Sequence, residues 1–132
     1  MIVSNIPNEL FPEKIRSELE GINIYLVSEN EVKKIPPVSK AMIAFVVKCD
    51  KAIFLIDEHV ADMSDDALSM IVLHEVCHIK HPDASEDECD EYGINIMGEA
   101  AFHDAMAYTK SLQKKLMEKP HDESEDKYYE AS

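Results

Sequence analysis

The chain has 132 residues, with 27 acidic against 13 basic side chains for a formal charge of −14, and 45% of its residues are apolar. That length suits one hydrophobic core and not two ordinary domains, and the charge repels phosphate backbones and anionic lipid, which sets aside direct nucleic-acid and membrane binding. No apolar run approaches the ~18 residues of a membrane helix, no basic-then-apolar leader opens the chain, and three irregularly spaced cysteines fit reduced thiols, so a cytoplasmic protein is expected.

The first predicted element is a helix from about Pro12 to Glu20, where Leu10, Ile15 and Leu19 fall near helical spacing and Gly21 suits a left-handed cap. The β-branched and aromatic run from Ile22 predicts a strand, which Pro36 and Pro37 then interrupt. Two apolar runs, Ala41 to Val47 and Ala52 to Ile56, predict a hairpin, although its turn lacks an Asn-Gly or Asp-Gly pair.

Ser64 is placed as the N-cap of the next helix, with Asp65 and Asp66 in the first turn, where carboxylates favour the helix dipole. Leu68, Ile71, Val72, Leu73, Val76 and Ile79 leave few angles of this helix polar, so it is expected to be buried. Pro82 ends it. Ser85 and Glu88 form the sequence of a capping box, which starts a second long helix running to about Lys114 or beyond. Residues 1–117 are read as one domain and 118–132 as an acidic, flexible tail.

The chemistry concentrates between residues 74 and 90. His74-Glu75-Val76-Cys77-His78 is an HExxH sequence on a predicted helix, and residues four apart stack on one face, so both imidazoles can address one ion. Glu75 sits ~100° further round the helix, near enough to serve as general base toward a water without binding the metal. A catalytic zinc needs a third protein ligand and an open position. A further histidine in the metzincin manner is excluded, because His81 and Ala84 stand where Gly and His would be required. Glu86 and Asp90, four apart on the following helix, supply the alternative: Glu86 as ligand and Asp90 as the acid that orients His74 or His78. Glu88 is already used by the capping box. Only Pro82, Asp83, Ala84 and Ser85 are left to reverse the chain between the helices; should that reach fail, Asp90 or His81 becomes the third ligand. His81 otherwise reads as a helix-end residue favouring the C-terminal dipole. Cys89, Gly93 and Met97 lie near the same face and allow close helix approach.

HExxH followed by E-x-x-x-D is the gluzincin pattern, and residues 53–98 resemble the small ImmA/IrrE-type metallopeptidases. Cys89 stands where that family usually has Ala. The resemblance implies zinc at His74, His78 and Glu86, Glu75 as general base and Asp90 in support. It also implies a compact α+β zincin-like domain whose small, mostly antiparallel sheet packs on the buried HExxH helix, followed by a long C-terminal helix. The expected function is a zinc metallopeptidase hydrolysing a peptide bond in a specific protein or peptide substrate. Two other readings are a catalytically silent binding module and a structural zinc site, the latter needing a fourth ligand such as Cys77 or Cys89. The strand at Ala52 to Ile56 is a candidate for pairing with an extended substrate. Tyr92, His103 and Tyr108 are candidates for oxyanion stabilisation. His59, His103 and His121 read as solvated or locally paired, and the Met and Tyr residues of the last helix as core.

Overall fold

The computed structural model describes residues 3–32 and 43–118. The expected interruption at Pro36 and Pro37, His121 and the expected tail beyond residue 118 lie outside them. Strand β1 (Val3–Ile6) opens the described chain and pairs antiparallel with β2 (Asn23–Val27), Ile6 opposite Ile24. Sequence reading did not anticipate β1, which is four residues long and has at its centre Ser4 and Asn5, the latter a type depleted in strands. Between the two strands, α1 (Glu13–Arg16) tightens into a 3-10 turn at Ser17–Leu19, and Gly21 takes the left-handed conformation (φ +79°) expected of it. A one-turn helix, α2 (Glu29–Val32), follows β2.

The predicted hairpin is present as β3 (Ala44–Val47) and β4 (Ala52–Ile56), antiparallel with Val47 opposite Ala52. Its turn is a 3-10 segment, Lys48–Asp50, closed by Lys51 in the left-handed region, which explains the missing two-residue turn signal. The strand order is β1-β2-β4-β3, and β2 and β4 run parallel. The sheet is therefore mixed: its two outer pairings are antiparallel, as expected, and its central one is not. Strand β3 starts at the end of the sheet where β2 stops and runs back, so that β4, after the hairpin, enters beside β2 in the same direction. The candidate docking strand is also corrected. β4 is hydrogen-bonded on both sides, so it cannot accept another strand; among the described residues the edges are β1 and β3.

A short α3 (Asp57–Val60) leads into α4 (Asp65–Lys80), whose N-cap Ser64 accepts the Ala67 N–H at 3.1 Å. Then come α5 (Glu86–Met97) and α6 (Glu99–Glu118). The single second helix expected from residue 85 onward is thus two, because Gly98 adopts φ +96°, ψ 163°, a conformation that side-chain-bearing residues avoid and that no helix can pass through.

Alternation along the strands aims Ile24, Ile53 and Leu55 at Val72, Leu73 and Val76 of α4, all of them buried. Each such side chain contributes roughly 1.5–3 kcal/mol through burial. The other sheet face carries Val27 and Ile56, clustered with Val32 of α2, and Tyr25, Phe54 and Phe45 stacked at ring separations of 5.2 and 5.0 Å. Helix α4 lies between the sheet and the pair α5, α6, which is why its apolar residues surround most of its axis. Gly93 permits the close approach of α5: a Cβ there would stand 2.3 Å from the Met70 methyl carbon. The result is an α+β chain with a long C-terminal helix.

The capping box forms as predicted. Ser85 Oγ accepts the Glu88 N–H at 3.1 Å, and Glu88 Oε1 accepts the Ser85 N–H at 2.9 Å. Loss of an N-cap side chain costs about 1 kcal/mol. Ser85→Ala is therefore expected to lower the melting temperature by roughly 3–5 °C, and Ser85→Gly by much less, in thermal unfolding followed by circular dichroism.

Candidate metal centre

Helix α4 ends at Lys80, α5 begins at Glu86, and the reversal between them is tightened by a turn in which Ala84 N–H donates to the His81 carbonyl at 2.9 Å. The short connection therefore reaches. It lays the first turn of α5 across the last turns of α4, so that Glu86 meets both histidines of the HExxH sequence.

His74 Nε2 stands 2.7 Å and His78 Nε2 3.0 Å from the same oxygen, Glu86 Oε2, and the two nitrogens are 3.1 Å apart. Among the described residues these three form a group able to hold a metal ion. A tetrahedral zinc with ligands at ~2.05 Å separates its donors by about 3.3 Å, so the sides of the triangle have to open by about 0.2 to 0.6 Å. Two imidazole nitrogens and one carboxylate oxygen are also a donor set that zinc takes when one position stays open. The chemistry and the spacing of the residues fit the ion.

Their outer contacts are as ordered as the inner ones. His74 Nδ1 lies 2.8 Å from Asp90 Oδ1, the orienting contact expected of Asp90, and His78 Nδ1 lies 3.5 Å from Cys89 Sγ. Cys89 is fully buried, and burial, with Cys77 hydrogen-bonded beside it, pushes its thiol up to about 12. Its sulfur faces the far side of the imidazole from the donor triangle and does not join it. A structural site with a cysteine as fourth ligand has no support in this arrangement.

Glu75 is half-buried between the two histidines in sequence and lines the same cleft as His74, Glu86 and Asp90. Burial pushes its carboxyl up from 4.5 to about 7; His74 pulls it back and the charge of Glu86 adds to the rise. Glu86 itself is also raised by desolvation, but hydrogen bonds and attraction from His78 and His74 outweigh this and leave it below the usual carboxylate range.

The cleft measures about 500 Å³. Beyond the charged cluster its walls are mostly apolar, with Ile43, Met70, Ile71, Phe102, Ala105 and Met106 beside the polar Thr109 and Gln113. Sequence reading missed the contribution of α6. Phe102, Ala105, Met106, Thr109 and Gln113 recur at the spacing of one helical face, so a stripe was visible, but what it faced was not. Of the last-helix side chains read as core, Tyr108 does pack there, whereas Met106 is exposed at the cleft.

Several other expectations are corrected or resolved. Tyr92, His103 and Tyr108 do not line the cleft that holds Glu75. Tyr92 instead donates its hydroxyl to Glu18 on the far side of α5, where Lys80 also reaches Glu18 at 3.6 Å. His81 caps the end of α4 with its ring 6.3 Å from that of Tyr92, outside the donor triangle, in keeping with its helix-end reading. His59 is buried with Nε2 3.7 Å from Glu29, a locally paired and not a solvated histidine.

No family model matches the chain, and comparison with curated proteins and with solved structures found no match. No helix among the described residues is long and apolar enough to cross a membrane.

Proposed function

We propose that this chain is a zinc-dependent metallopeptidase of the gluzincin type, with a zincin-like domain resembling the ImmA/IrrE-type enzymes, acting on a protein or peptide substrate in the cytoplasm. The observation that carries the reading is the convergence of His74 Nε2, His78 Nε2 and Glu86 Oε2 within about hydrogen-bond distance, with Glu75 in the same cleft. Those three atoms would hold the ion. Zinc, when bound, supplies a Lewis acid for the scissile carbonyl and acidifies the attacking water.

The remaining work falls to the protein. Glu75, half-buried in the same cleft as His74 and Glu86, is placed to accept the water's proton and pass it to the amine as the peptide bond breaks. Asp90 holds the His74 ring through Nδ1, so that Nε2 faces the ion. Strand β3 is at the sheet edge, and Ala44 on it lines the cleft, so an extended peptide can pair along β3 while one of its side chains enters the apolar part. Among the described residues the lining contains three carboxylates and neither lysine nor arginine, which disfavours an acidic side chain there. The substrate class is therefore an extended segment with a bulky apolar residue beside the scissile bond.

The test is to incubate the zinc-loaded protein with a complex peptide mixture and sequence the new termini by mass spectrometry. Cuts are expected with wild type, enriched for Leu, Met or Phe at one flanking position, and absent with Glu75→Gln or a zinc chelator. Met106→Trp, which narrows the apolar end from an exposed position on α6, is expected to raise KM about tenfold or more for such peptides with little change in zinc content, since losing a large apolar contact costs about 1–3 kcal/mol. Zinc-loaded protein that cuts nothing would instead favour the silent binding module.

A further inference from the structure

Zinc takes a neutral imidazole through one nitrogen, and the other nitrogen then carries a hydrogen that needs an acceptor, normally a carboxylate, a carbonyl or water. His74 has the usual partner in Asp90. His78 has the adjacent residue of α5, Cys89, with its sulfur 3.5 Å from Nδ1. The pairing follows from helix geometry: α4 and α5 run antiparallel, so the later residue, Asp90, serves the earlier histidine and Cys89 serves the later one. Cys89 is fully buried, and the Cys77 thiol on its other side is within hydrogen-bond reach. The Cys89 S–H can point to Cys77 while its lone pairs face His78.

We infer that Cys89 is a positioning residue for the metal centre, accepting the Nδ1–H of His78 so that Nε2 is presented to the ion. The inference rests on the zinc-site reading above and extends it to a residue that does not touch the metal. A thiol is a weak acceptor, so the two histidines are held unequally: His74 by a charge-assisted bond at 2.8 Å, His78 by a long, neutral one. Simple packing is the competing account of Cys89, and it makes no demand on metal affinity.

The experiment is a zinc titration of the metal-free full chain against a chromophoric chelator at neutral pH, on wild type, Cys89→Ala, Cys89→Ser and Glu86→Ala. Loss of an outer partner costs about 10–100-fold in metal affinity, and a weak acceptor belongs at the low end, so Cys89→Ala is expected to bind zinc about tenfold more weakly. Cys89→Ser, which keeps an acceptor in place, is expected to recover most of that loss. The second readout is proton NMR of the cobalt-substituted protein, in which each ligating imidazole gives a shifted N–H signal that disappears in D2O. Cys89→Ser is expected to move one of the two signals and Asp90→Asn the other. If Glu86→Ala loses zinc while Cys89→Ala binds as wild type does, or if Cys89→Ser moves neither signal, the positioning role is overturned and the zinc site stands. If wild type takes up no zinc, the site and the inference fall together. Should Cys89→Ala not fold, the Cys89→Ser spectrum decides.

Discussion

Glu86→Ala is expected to abolish stoichiometric zinc. Wild type prepared without chelator or affinity tag should contain about one zinc per chain by elemental analysis, and Glu86→Ala almost none. Glu86 Oε2 is the point on which both imidazoles converge, at 2.7 and 3.0 Å, so its removal leaves two histidines and no third donor, since Asp90 is turned to the outer nitrogen of His74. The loss should exceed the 10–100-fold typical of an outer contact and reach on the order of 10³-fold in Kd, about 4 kcal/mol. The fold should survive, because Glu86 lies in the exposed first turn of α5 with 76% of its side chain accessible. A Glu86→Ala protein that still carries one zinc would remove the three-ligand site. No zinc in wild type, even after adding it back, would remove the peptidase reading with it.

Glu75→Gln should separate chemistry from binding and from stability. Zinc content is expected to stay near one per chain, because Glu75 is outside the donor triangle, while hydrolysis falls by about 10²–10⁴-fold through loss of the general base. The same substitution should make the metal-free protein more stable at alkaline pH. The folded-state carboxyl is raised from 4.5 to about 7, so between those values the folded chain binds more protons than the unfolded one, and stability falls as pH rises through that window. Above it wild type carries the whole cost of burying the ionised carboxylate, on the order of 3 kcal/mol, and the glutamine carries none. Metal-free Glu75→Gln is therefore expected to melt roughly 10 °C above wild type at pH 8 and level with it near pH 4. Equal melting temperatures at both pH values would mean that Glu75 reaches water and is not held as a desolvated base.

Local physics explains what could be read early. Both helices of the site announced themselves through their caps, Ser64 and the Ser85/Glu88 box, because capping is a contact within four residues. The stacking of His74 over His78 is likewise a property of the helix alone, as is the placing of Glu86 and Asp90 on one face. The left-handed Gly21 and the two hairpin strands are of the same kind. Gly98 was harder to read, since helical residues flank it on both sides and only its observed φ of +96° marks the break.

What only the tertiary structure decided depends on segments distant in sequence or on how two helices are turned toward each other. The parallel pairing of β2 with β4 joins strands far apart in sequence and places β4 inside the sheet, which leaves β3 and not β4 at an edge among the described residues. The α4–α5 packing chose Glu86 over Asp90 and His81 for the triangle, and gave His78 a thiol where His74 has a carboxylate. The sequence by itself therefore determined the candidate donors and base, through helix periodicity and capping. Packing α6 and β3 against α4 decided the rest, walling those groups with apolar side chains and burying Glu75 far enough to hold its proton to about pH 7.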